Sequence, residues 1–135
     1  MLKQYSRKGE WLFIMMRGIR GAITIEANKK ELIENKTEIL LREMIEQNHL
    51  QAESIASIFI SVTDDIDAGF PAAVVRKIDG FTYVPVMCMR EIPVPDSLSL
   101  AIRIMIHANL DTAQKDIKHI YLEGATVLRP DLTEK

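Results

Sequence analysis

Apolar and polar positions alternate in MRGIRGAITIE (16–26), with Ile23 and Ile25 pointing one way and Thr24 and Glu26 the other. A period of two predicts a strand, and Gly18 and Gly21 mark places where the backbone bends or is closely approached. The period then changes. From Asn28 to about Asn48, the residues Ile33, Leu40, Leu41, Met44 and Ile45 keep helical spacing among lysines and glutamates, which predicts an amphipathic helix with one buried face. Asn28 followed by Glu31 has the pattern of a capping box at its start. SIASIFISVT (54–63), short and rich in β-branched and aromatic residues, predicts a central strand, and TDDID after it a loop.

FPAAVVRKI (70–78) predicts a short helix with Pro71 in its first turn and Gly80 just past its end. YVPV (83–86) opens another extended stretch, its proline suiting an edge or a bend. LSLAIRIMIHANL (98–110) predicts a long strand interrupted by Arg103, and HIYLEGATVL (119–128) a last strand or hairpin with a bulge or turn at Gly124. With no repeat or linker, residues 16–135 form one α/β domain: a mixed sheet with one long amphipathic helix. Residues 1–15 carry basic residues and an apolar patch at 11–16 that is too short for a secretory signal. They are expected to be an N-terminal extension, disordered or non-native, without a functional role.

One long and one short helix are too little to cover both faces of so apolar a sheet. The bare face is expected to meet another copy of the chain. Composition narrows the partners further. The 135 residues are 47% hydrophobic and 27% charged, with a formal charge of −2, which fits a globular protein and gives no reason to expect nucleic acid or an anionic membrane as partner. No apolar run approaches the roughly 18 residues of a membrane span. The single cysteine excludes an internal disulfide, and no Cys/His cluster has zinc spacing, so a reducing, cytoplasmic compartment is expected.

Several side chains invite a chemical reading, each beside a plainer one. Arg103 stands among Ile102, Ile104 and its same-face neighbours Ala101 and Met105. It either faces water on the polar side of a half-buried strand or meets an anion, because a guanidinium stays charged and is unfavourable when buried alone. Arg20 is a surface residue or an anion ligand, Glu91 half of a rim salt bridge or a site carboxylate, and Tyr121 a core aromatic or a hydroxyl donor. Cys88, three residues before Glu91, is either an inert buried thiol or a nucleophile, and none of His49, His107 and His119 has a recognisable spacing to it. Asp64, Asp65 and Asp67 lack the glycine and distal glutamate of a calcium loop and read as a turn that helps start the next helix.

Taken together, RGIRGA (17–22), FPA (70–72) with Arg76 following, YVPV-x-CM-x-E (83–91), IRIM (102–105) and YLE…VLRPDL (121–132) occur in one order and spacing. On these residues the chain from Met16 onward resembles the AroH class of chorismate mutase, the small, monofunctional, trimeric type. The resemblance implies a pseudo-α/β-barrel homotrimer with active sites between neighbouring chains, and a Claisen-type isomerisation of chorismate to prephenate in aromatic amino-acid biosynthesis. It implies no cofactor, no metal and no covalent intermediate. By the same resemblance Arg103 meets the breaking ether oxygen, Arg20 grips the enolpyruvyl carboxylate with help from Tyr121, and Glu91 accepts from the ring hydroxyl beside Cys88. Phe70, Ala72, Val86, Met87 and Leu128 would wall the pocket, with Arg76 and Arg129 at its mouth and the C-terminal tail closing over it. Ala73 and Met87 depart from the family pattern, which carries a lysine and a threonine there. The alternative is a non-catalytic trimer of similar fold that binds a small carboxylate.

Overall fold

The computed structural model describes residues 2–5 and 11–129. In chain order its elements are β1 (Leu2–Tyr5), β2 (Trp11–Thr24), α1 (Lys30–Gln47), β3 (Ile55–Val62), β4 (Val86–Arg90), β5 (Ala101–Leu110) and β6 (Ile120–Tyr121). Short 3-10 segments cover Ala52–Ser54, Pro71–Lys77, Gln114–Asp116 and Glu123–Leu128. The strands form one mixed sheet in the order β1-β2-β5-β3-β4, with β6 added to β2. β2, β5 and β3 run antiparallel in turn, while β4 lies parallel to β3 and β6 parallel to β2.

The predicted helix forms where its spacing placed it. Ile33, Leu40, Leu41 and Met44 are fully buried, together with Thr37, whose hydroxyl donates to the Ile33 carbonyl at 2.6 Å and so enters the core satisfied. Each of these large apolar side chains contributes about 1.5–3 kcal/mol by leaving water. They pack on Ile19, Ile23, Ile58, Ile60, Ile102, Ile104 and Ile106 from one face of the sheet. Gly21 faces the helix at its closest approach: a Cβ there would lie 2.4 Å from the Met44 sulfur and 3.1 Å from Leu40 Cδ1. The helix ends without glycine. His49 takes the left-handed conformation (φ 51°), and Leu50 N–H returns to the Ile45 carbonyl at 3.0 Å.

Three expectations are corrected. Asn28 does not cap α1, since the residue before the helix is Lys29 and no side chain caps it. The Asn28 amide instead accepts the backbone N–H groups of Asp67 and Ala68 and donates to the Asp67 carboxylate at 2.7 Å. Asp65 likewise ties loops together, accepting the Leu100 N–H, and does not start the next helix, whose cap position is Phe70. β5 begins at Ala101, and only Ile120–Tyr121 are strand near the end, because 123–128 coil into a 3-10 turn that packs Ala125 on Ala22 and Tyr121. Apart from these, residues 2–5 and 11–15 of the expected N-terminal extension lie in β1 and the start of β2, with Leu2 opposite Ile14, Tyr5 opposite Trp11 and Met15 opposite Leu110. Residues 1, 6–10 and 130–135, including the tail expected to close the pocket, lie outside the described residues.

α1 covers one face of the sheet; the other is open. On this face Met87 and Met89 are exposed at the β4 edge, and Phe70, Tyr83, Ile92 and Val94 are exposed elsewhere on the surface, more large apolar side chains in the open than monomers usually leave.

Candidate active site

Strand register decides which residues share the open face. Ladder partners point to the same side, so Tyr121, Ala22, Arg103, Ser61 and Met89 form one row across β6, β2, β5, β3 and β4. Arg20, Met105, Phe59 and Met87 form the next. Glu91 follows β4 with the parity of Met89, and its N–H continues the ladder to the Val62 carbonyl at 2.8 Å. Arg20, Glu91, Arg103 and Tyr121 therefore line one cleft of about 250 Å³, over a floor that includes Phe59, Ser61, Met89 and Met105.

Within this cleft the charges are held in a chain. Arg103 donates from Nη1 to Glu91 Oε2 at 2.9 Å, and the Ser61 hydroxyl donates to the same oxygen at 2.8 Å. Burial would raise the Glu91 carboxyl, but the Ser61 hydroxyl, the Arg103 charge and the Ile92 N–H outweigh it and hold the group below the usual carboxylate range. The anion that Arg103 required is thus Glu91 itself. One nitrogen of the guanidinium is engaged there, which leaves further donors of its fixed fork to face a ligand. Arg20 has no ion pair among the described residues, although it lines the same cleft as Arg103. Tyr121 is buried with its ring against Ala22 and Ala125.

Of the remaining predicted residues, Met87 shares the open face in the row of Arg20, and the others stand elsewhere on the chain. Cys88 is opposite Ile60 and Val86 opposite Ile58, so both turn toward the helix side and pack against the core. Cys88, Phe70, Pro71 and Ala73 line a second, larger groove of about 680 Å³, which Lys30 and Glu34 from α1 also border. Phe70 is 78% and Met87 60% exposed; Ala72 is half-buried against the core, and Arg76 is exposed. Leu128 and Arg129 end the last 3-10 turn beyond Tyr121. One chain therefore brings together Arg20, Glu91, Arg103 and Tyr121 but does not bring Cys88 or Phe70 to them.

Two further polar residues belong to the first cleft's surroundings and were not singled out as such from sequence. Ser61 was legible only as one of two serines on the Ser57, Phe59, Ser61 side of β3, opposite Ile58 and Ile60. His119, read only as a distant base for Cys88, accepts the Arg20 backbone N–H at Nδ1 (2.9 Å). Burial and the charges of Arg20 and Arg129 hold its ring below the ordinary histidine value.

This arrangement, a single-helix mixed sheet with its open face bearing fixed cations and one carboxylate, can bind a small polyanion and steady charge that forms on it. The chain belongs to the family described as chorismate mutase type I, whose match runs over residues 16–132. Among its relatives, the chorismate mutase AroH of Bacillus subtilis (strain 168) is 46% identical over 120 residues, covering 89% of this chain and 94% of that protein. The chorismate mutase AroH of Thermus thermophilus is 45% identical over 119 residues, covering 87% and 97%. A solved chorismate mutase from Clostridium thermocellum superposes with a TM-score of 0.79 at 49% identity, over 82% of this chain and 97% of that one.

Proposed function

We infer that this chain catalyses the rearrangement of chorismate to prephenate, in a cytoplasmic homotrimer whose sites lie between neighbouring chains. The observation that carries the reading is the convergence of Arg20, Glu91, Arg103 and Tyr121 on one open cleft in a member of this family. The reaction transfers no proton and forms no enzyme adduct, so it calls for no nucleophile and no metal. What it needs is a flexible dicarboxylate held in a compact shape and compensation of the charge that grows on the ether oxygen as its bond to carbon lengthens.

Arg103, braced by Glu91 and Ser61, is a preset cation for that oxygen; an interaction that strengthens in the transition state raises turnover. Arg20 takes the enolpyruvyl carboxylate, with the Tyr121 hydroxyl beside it. Glu91, kept ionised, accepts from the ring hydroxyl. A cleft of about 250 Å³ is smaller than the roughly 300–1,000 Å³ of sites that enclose small molecules. A second wall is therefore needed. Phe70, Ala72, Val86, Met87 and Cys88 of a neighbouring copy supply it, with Arg76 of that copy at the mouth and Leu128 and Arg129 at the rim. The exposed apolar residues of the surface support such packing. In this reading Cys88 is a contact in the wall and not a nucleophile. A trimer that merely binds a carboxylate has no use for a braced arginine aimed at the substrate's centre, and the named relatives do not favour it.

The test is chorismate consumption by the purified protein, followed by absorbance, with mass measured by light scattering. Ala73 is exposed at the second groove, so Ala73→Trp should block that wall without unfolding the chain. Mixed trimers of Arg103→Ala and Ala73→Trp, each inactive alone, should regain activity, because some interfaces then carry neither change. Inactivity of the pure wild-type trimer would refute the enzyme reading; failure of complementation would refute the shared site.

A further inference from the structure

We propose that His119 is a positioning residue for Arg20: its ring nitrogen holds the Arg20 backbone in place, and protonating the ring releases it and weakens the grip of Arg20 on a substrate carboxylate. The proposal rests on the reading above only for what Arg20 binds. Its structural half stands on the join between β2 and β6. β6 pairs Ile120 with Gly21 and Tyr121 with Ala22, and Leu122 N–H donates to the Ala22 carbonyl at 2.9 Å. Continued by two residues, a parallel ladder would carry the Arg20 N–H to the Lys118 carbonyl.

That carbonyl is already engaged. The Asn48 side chain, at the end of α1, donates to Lys118 O at 2.8 Å and accepts the Lys118 N–H at 2.9 Å, which draws the chain away from β2. The Arg20 N–H would be left without a ladder partner, and His119 Nδ1 takes it at 2.9 Å. A side chain thus completes the sheet beside the residue that carries the anion-binding guanidinium.

Accepting at Nδ1 requires a neutral ring with its proton on Nε2; an imidazolium has no acceptor. The charges bearing on the ring are both cationic, Arg20 from β2 and Arg129 from the end of the last 3-10 turn, and burial acts in the same direction. Lys118, its exposed neighbour, is held to α1 through the neutral Asn48 amide. The ring is therefore neutral near pH 7. The sign follows: a histidine whose folded pKa is depressed contributes stability that is present above about pH 6.5 and lost as pH falls through the folded value.

The experiment measures kcat and KM for chorismate between about pH 5 and 8 in wild type, His119→Asn, which keeps an acceptor near Nδ1 but cannot charge, and His119→Ala. At pH about 7.5 the alanine variant should show KM raised about two- to tenfold, the loss of one net hydrogen bond, with kcat little changed, and the asparagine variant should match wild type. As pH falls below about 6.5, wild-type KM should climb toward the alanine value while the asparagine variant stays flat. Independently of turnover, the Arg20 amide should exchange its hydrogen faster in His119→Ala than in wild type at equal pH, whereas His119→Asn should protect it. Unchanged Arg20 exchange in the alanine variant overturns the proposal even if chorismate is not the substrate. An acid rise of KM that persists unaltered in His119→Asn overturns the pH half. A wild-type protein inert toward chorismate, but with Arg20 exchange responding as stated, would fault the functional reading and leave the positioning role upheld.

Discussion

Arg103→Ala is the perturbation on which the reading turns, and the structure sets its size on two separate scales. For folding, the pair it breaks is open to water: the Arg103 side chain is 46% and that of Glu91 26% exposed. Ion pairs of that exposure are worth about 0–1 kcal/mol. Glu91 keeps its hydrogen bond from Ser61 after the change, so no carboxylate is stranded. Denaturation midpoint and oligomer mass should then be nearly those of wild type. For catalysis, the proposed reading makes the lost group a fixed donor to a developing negative charge. Removal of such a donor lowers turnover by about 10²–10³, equivalent to about 2.7–4 kcal/mol. Arg103→Lys keeps the charge but not the planar fork, so it should recover only part of the loss. The assay is chorismate disappearance at saturating substrate, beside urea denaturation of the same samples. If Arg103→Ala turned over within a few-fold of wild type, electrostatic stabilisation from this position would be refuted. If it lost activity only in proportion to lost fold, the role would be structural.

Gly21→Ala should destabilise the fold by about 1–3 kcal/mol in urea denaturation, the range for overpacking, because its Cβ would lie 2.4 Å from the Met44 sulfur. Met44→Ala, which removes a fully buried core side chain, should cost less stability in the Gly21→Ala chain than in wild type, because the clash it relieves offsets part of the cavity. Cys88→Ser should lower activity only modestly, as a hydroxyl can make a similar contact; complete loss would revive a covalent role. Glu91 is held below its ordinary value by Ser61, Arg103 and Ile92 against the opposing effect of burial, so its contribution is present above about pH 4.3 and fades as pH falls through the depressed folded value. Glu91→Gln should flatten that acid limb in a stability-versus-pH series. Chelators should leave the rate unchanged, and inhibition reversed by added metal would contradict the metal-free mechanism.

The period of apolar residues was enough to find α1, β3 and most of β2 and β5, since burial of one face imposes 3.6 or 2 on any sequence that folds this way. The quoted motifs carried the family likeness from 17 to 132 and with it the candidate side chains. What periodicity could not supply was sidedness. Cys88 and Glu91 sit three residues apart on one strand and its extension, so they point to opposite faces of the sheet, and the sheet's register with β3 turns Cys88 toward the core. Long-range polar contacts were equally hidden: Asn28 looked like a cap because caps are local, yet it bonds a loop 39 residues away.

By itself, then, the sequence determined which residue types occur at which period, and therefore the helix, the main strands and the identity of the charged candidates. Only the tertiary structure decided that Arg20, Glu91, Arg103 and Tyr121 share a cleft while Cys88 and Phe70 face another, and that His119 stands in for a missing carbonyl beside Arg20. Local patterning is set by burial within a few residues, whereas the meeting of β2, β4, β5 and β6 depends on ladder register, which no single segment encodes.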